Sequence, residues 1–106
     1  SMGADGLLAT VISEPHLPGE VFTQRGDERT KLTGVNDSLV ATLQLAEVRN
    51  LHFNSPDGTE IEGWVFFPPD FEEGRRYPTL LRIHGGPNAS YAVGFNTDAQ
   101  ILAANG

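Results

Sequence analysis

The chain has no cysteine, one methionine and one tryptophan among its 106 residues. Without cysteine there is no disulfide and no thiolate-bound metal. Basic side chains are scarce: 7 Lys and Arg stand against 14 Asp and Glu, a formal charge of −7. A nucleic-acid partner needs a basic face and an anionic membrane surface needs basic clusters, so neither is expected. The acidic balance reads instead as solubility. No apolar run approaches the roughly 20 residues of a membrane span. No basic stretch followed by an apolar one opens the chain, so no secretory signal is expected and the cytoplasm is the default compartment. His16, His52 and His84 show no helical or hairpin spacing with carboxylates that would make a metal site, and no metal or cofactor is expected. No pattern recurs along the chain. Ser1-Met2 reads as a remnant of tag removal, with residues 1–3 a cloning remnant and Gly3 or Ala4 the first natural residue.

What is present is organised around Pro78-Thr79-Leu80-Leu81-Arg82-Ile83-His84-Gly85-Gly86-Pro87. A short apolar run, bounded by Pro78 and two glycines, fits a buried strand better than a helix. The glycines let the backbone turn tightly and approach a ligand. A strand ending in His-Gly-Gly is one way α/β-hydrolases begin the loop that supplies an oxyanion-hole donor.

Upstream, residues 7–13, 20–24 and 30–33 read as short strands parted by Glu14-Pro15, Pro18-Gly19 and Gly26-Asp27. They suggest one sheet or propeller blade, which cannot bury both faces alone. Asp37 or Ser38 caps a short helical stretch over 39–45. A module boundary is expected at Ala46–Glu47. Residues 48–67 form an antiparallel hairpin about the turn Ser55-Pro56-Asp57-Gly58. It is polar near the turn and apolar on both faces toward Phe67. Trp64 and Phe66 on one strand face read as packing residues. Glu60 and Glu62 share that face and read as solvated. Near the end, Thr97 as N-cap with Gln100 three residues on predicts a helix closed by a left-handed cap at Asn105-Gly106.

The run from Ser55 through Pro69, followed by Tyr77-Pro78 and His84-Gly85-Gly86-Pro87, resembles the start of the hydrolase domain in the prolyl oligopeptidase family. The acylaminoacyl-peptidase branch is nearest, because the dipeptidyl-peptidase branch has Tyr where His84 stands. Residues 7–45 resemble the end of the family's β-propeller and its exit linker. The resemblance implies an α/β, β-rich fragment with an incomplete α/β-hydrolase sheet (antiparallel hairpin, strand, first helix), preceded by the last β-propeller blade strands. Residues 4–46 would be propeller end and linker, and 47–106 the N-terminal part of the hydrolase domain. It implies a serine peptidase that removes acylated or short N-terminal residues from oligopeptides, with a peptide substrate bound by the full-length protein. The family's Gly-x-Ser-x-Gly elbow is not in the sequence, nor are its later Asp and His, so this chain alone is expected to be inactive.

The resemblance carries over one site role: the N–H of Gly86, with Gly85 beside it, would hold the oxyanion. Pro87 completes the motif. His84 reads as structural rather than as a catalytic base, because a base must reach a nucleophile and be oriented by a third group. Asn88 and Tyr91 would line the substrate cleft. Two other readings stand beside the peptidase. In one, exposed hairpin and strand edges make an interaction module that forms a homo-oligomer or associates with the missing hydrolase portion. In the other, the chain belongs to an esterase that uses His-Gly-Gly without a propeller; Pro87 and the upstream strands speak against it.

Overall fold

The computed structural model describes residue 3 and residues 5–106. Ser1 and Met2, on which the cloning-remnant reading rests, lie outside the described residues, as does Ala4. The chain forms two compact units, Ser1–Leu43 with Val93–Phe95, and Gln44–Ala92 with Asn96–Gly106.

The first unit is a three-stranded antiparallel sheet in the order β1 (Leu8–Glu14), β2 (Leu17–Arg25), β3 (Glu28–Lys31). Thr10, Val11 and Ile12 supply the β-branched side chains that suit a pleated surface. Strand β2 starts three residues before the expected 20–24 and runs through Pro18-Gly19. The register explains why: Ile12 faces Glu20 and Glu14 faces Leu17, so Pro18 and Gly19 together lie opposite Ser13. That is a β-bulge, where a proline without a donor is tolerated. Ser13 Oγ donates to Leu17 O at 3.2 Å and accepts the Phe95 N–H at 2.9 Å. Helix α1 is a single turn, Asp37–Val40, shorter than the expected 39–45. β-Branched Val40 and Thr42 propagate a helix poorly. Thr42 instead turns its hydroxyl back onto Leu39 O at 2.7 Å.

The second unit is built on the hairpin of β4 (Glu47–Asn54) and β5 (Glu60–Phe67), in register from Glu47↔Phe67 to Asn54↔Glu60. Gly58 takes φ +86° in its turn and donates its N–H to Ser55 O at 2.9 Å. Asp57 accepts the Ser55 hydroxyl and the Thr59 N–H, and the Ser55 hydroxyl foremost holds its carboxyl below the usual range. One face near the turn departs from expectation: Leu51, Phe53 and Ile61 are exposed there. The other face is polar as expected, with the Asn50 amide 2.7 Å from Glu62 Oε1. His52 Nδ1 lies 2.9 Å from Glu60 Oε1 and Nε2 lies 3.8 Å from Glu62. Cross-strand pairing thus gives His52 the carboxylate neighbours that its linear spacing did not suggest.

Helix α2 (Thr97–Ala104) packs against β5. Its N-cap is Asn96, one residue before the expected Thr97: the Asn96 side chain accepts the Ala99 N–H at 3.0 Å. Asparagine outranks threonine at this position. Asn105 takes φ −98°, and the left-handed residue is Gly106, whose N–H reaches Ala103 O at 3.2 Å. Gln100 is buried and does not act as a capping-box partner. Its Oε1 accepts the N–H of buried Ala46 at 2.7 Å, joining α2 to the entry of β4. Replacing Gln100 by leucine keeps the bulk but deletes that acceptor. We expect about 1–2 kcal/mol of lost stability, read from urea unfolding.

The largest departure is at residues 78–83, expected as a buried strand. No strand forms there, and Leu80, Leu81 and Ile83 are 70%, 82% and 77% exposed. A strand needs a neighbour to complete its ladder. Among the described residues, the second unit's sheet consists of β4 and β5 alone.

Candidate functional site

The candidate loop follows directly from that unpaired run. Arg82 forms a 2.9 Å ion pair with Asp98 in the first turn of α2, where a carboxylate also suits the helix dipole. Both partners are more than half exposed, so the pair contributes at most about 1 kcal/mol. Leu80, Leu81, Arg82, Asp98, Ile101 and Leu102 line an open groove of about 520 Å³.

His84, Gly85, Gly86, Pro87, Asn88 and Tyr91 are all exposed. The His84 ring stands edge-on to Tyr91 with centroids 6.0 Å apart. Its Nδ1 lies 3.1 Å from Gly85 O; a carbonyl only accepts, so Nδ1 is the donor. Gly86 takes φ +153°, outside the ordinary range of a residue with a side chain. A Cβ there would sit 2.9 Å from Asn88 N and 3.1 Å from Ala89 N. Gly85 differs, since a Cβ would meet nothing within 4 Å. Among the described residues, no acceptor pairs with the N–H of Gly85 or Gly86. The structure therefore brings His84 to Tyr91, and Gly86 to the amides that follow it. It records no side-chain partner for Asn88.

The second unit also holds an aromatic cluster that the motif reading passed over. Phe71 lies 4.5 Å from Phe67 and 5.3 Å from Tyr77, centroid to centroid. The Arg49 guanidinium covers Phe67 at 4.5 Å and Arg75 covers Tyr77 at 5.2 Å. Glu47 bonds Arg49 at 2.6 Å; this contact lowers the Glu47 pKa and raises that of Arg49. The Tyr77 hydroxyl accepts the Glu72 N–H at 2.9 Å. The signal available in the sequence was the spacing of Phe67, Phe71 and Tyr77 around Pro68-Pro69. These residues brace the loop that leads to the candidate site. Among the described residues, no group of three or more His, Asp or Glu side chains is arranged to hold a metal ion.

No family model matches the chain. It is 32% identical over 96 residues to the uncharacterized peptidase YuxL of Bacillus subtilis, covering 90% of this chain and 15% of that protein. It is 28% identical over 79 residues to dipeptidyl-peptidase 5 of Porphyromonas endodontalis, covering 73% and 11%. Its backbone matches the acylaminoacyl peptidase of Pyrococcus horikoshii with a TM-score of 0.83 at 30% identity, over 100% of this chain and 17% of that one. The chain thus spans about a sixth or less of these relatives. By these matches the chain is similar to one segment of much longer peptidases. More narrowly, it fits a fragment of a prolyl oligopeptidase-family peptidase.

Proposed function

We propose that the chain is the part of a serine peptidase where a propeller ends, at Ala46, and an α/β-hydrolase domain begins, at Glu47. The enzyme would remove acylated or short N-terminal residues from oligopeptides in the cytoplasm. In it, the Gly86 N–H donates to the oxyanion that forms on the scissile carbonyl, with Gly85 shaping the approach. His84 and Pro87 hold the loop, and Asn88 and Tyr91 face the peptide. The observation that carries this reading is Gly86 itself: a positive φ, no room for a side chain, and an N–H with no recorded acceptor. A donor of this kind acts where charge develops in the transition state. Nucleophile, acid and base would come from sequence outside these 106 residues, so the chain alone hydrolyses nothing. A serine-directed phosphonate tests this. We expect it to label the longer protein at one serine and to leave the 106-residue chain unlabelled. Labelling of any serine in the short chain would overturn the proposal.

A second reading, that of an interaction module, is favoured by the exposed Leu80, Leu81 and Ile83 and by the two open edges of the hairpin. Unpaired edges template pairing with another chain. It predicts association of the chain with itself or with the remaining hydrolase portion. Light scattering that gives a monomer at all concentrations, with and without that portion, would rule it out. Among the described residues, no helix is long and apolar enough to cross a membrane.

A further inference from the structure

In the first unit, the most buried described side chain belongs to a carboxylate. Glu20 is 1% exposed. It sits on β2 opposite Ile12, on the face shared with Phe22 rather than that of exposed Val11. Its Oε2 accepts the Thr33 hydroxyl, and its Oε1 accepts the Asn36 N–H at 3.2 Å. Thr33 is itself tied to β2: its Oγ1 accepts the Val21 N–H at 2.9 Å, just past the point where Leu32 N–H reaches Val21 O at 2.8 Å. The side chain of Thr33 therefore extends the β2–β3 ladder where the backbone leaves it. Asn36 is the N-cap of α1 and makes no side-chain capping bond. In a capping box, a Glu three residues into the helix would bond the N-cap N–H. Here Glu20 makes that bond from another strand.

We propose that Glu20 is the pin of an acid-released clasp, holding residues 33–41 on β2 while ionised and freeing them when protonated, with the β1–β2 ladder still paired. A carboxylate accepts at both oxygens, whereas a carboxylic acid must spend one as a donor. A proton on Oε2 displaces the Thr33 hydroxyl as donor and a proton on Oε1 displaces the Asn36 N–H, so the clasp loses one of its two bonds. The charged groups around the clasp are Lys31 on β3 and Asp37 on α1, which pair with each other at 2.5 Å. The Thr33 hydroxyl foremost lowers the Glu20 pKa; the Asn36 and Val35 N–H groups and the Lys31 charge help, against the opposing effect of burial. The clasp is therefore complete above the ordinary glutamate value and weakens as pH falls from there through the lower folded-state value.

The test is an amide titration of the whole 15N-labelled chain, from about pH 7 to about pH 3, across the carboxylate range. We expect the Asn36 amide to follow a single-proton curve whose midpoint lies below the ordinary glutamate value. Exchange protection at Val40 and Ala41, corrected for intrinsic rates, should fall by up to about tenfold per pH unit between the ordinary glutamate value and that midpoint, and level off below it. Amides of the β1–β2 ladder should hold. Glu20→Gln should remove the step and leave residues 33–41 at their acid-state protection at neutral pH. Thr33→Val should raise the midpoint, and Asp37→Asn should leave the step in place. The proposal is overturned if the step survives Glu20→Gln, if it vanishes in Asp37→Asn, or if ladder and segment lose protection together. Should Glu20→Gln not fold, the wild-type and Asp37→Asn titrations decide the matter alone.

Discussion

On the oxyanion role proposed for Gly86, its replacement by alanine in a full-length peptidase carrying this segment is expected to lower kcat by about 10²–10³-fold, the cost of losing one such donor. Two features of the loop combine. At φ +153° an alanine is strained. Its methyl would also sit 2.9 Å from Asn88 N and 3.1 Å from Ala89 N, which are backbone atoms and cannot swing aside. The loop must open, and the Gly86 N–H moves with it. A misplacement of about 1 Å at a reacting centre can cost on the order of a hundredfold. KM should change little, because the lost bond forms only in the transition state. Gly85→Ala is the matched control: the added methyl meets nothing within 4 Å. Steady-state kinetics on an acylated peptide would check both. Equal loss in the two variants would point to general loosening of the loop, and no loss at Gly86 would remove it from the oxyanion hole.

Phe71→Ala should be the most damaging single truncation for the second unit, at about 2–3 kcal/mol. Truncating a fully buried phenylalanine costs about 3–5 kcal/mol, and Phe71 is half-buried. Its two ring contacts, at 4.5 Å and 5.3 Å, each add about 0.5–1.5 kcal/mol beyond area burial. Phe71 is the middle ring of the row, so its loss separates Phe67 from Tyr77 and frees the loop between them. Phe71→Leu keeps most of the apolar area and should lose only about 1 kcal/mol. Trp64, the single tryptophan, lies on β5 and reports this unit's unfolding by fluorescence in urea. A Phe71→Ala midpoint equal to that of the native chain would show that the ring row is decorative.

Local chemistry alone made much of the architecture legible. Turn residues set the Ser55–Gly58 reversal and so the register of β4 on β5, since hairpin register follows from turn type. The β-branched run 10–12 marked β1, and polar cap residues followed by an apolar stretch marked α2 to within one residue. The motif His84-Gly85-Gly86-Pro87 was visible because glycine pairs constrain the backbone whatever surrounds them.

Three features were decided only in three dimensions. Residues 78–83 carry an apolar, strand-like sequence, yet strand is a relation between two segments, and no described segment pairs with them. Pro18-Gly19 looks like a break and became part of β2, because a bulge opposite Ser13 absorbs the extra residue. Glu20 looks like a surface residue and is buried, because its donors arrive from Thr33 and Asn36, 13 and 16 positions away. The common reason is that propensity and patterning act over a few neighbouring residues. Pairing, burial and the satisfaction of a buried charge depend on partners distant in sequence, which only the folded chain brings together.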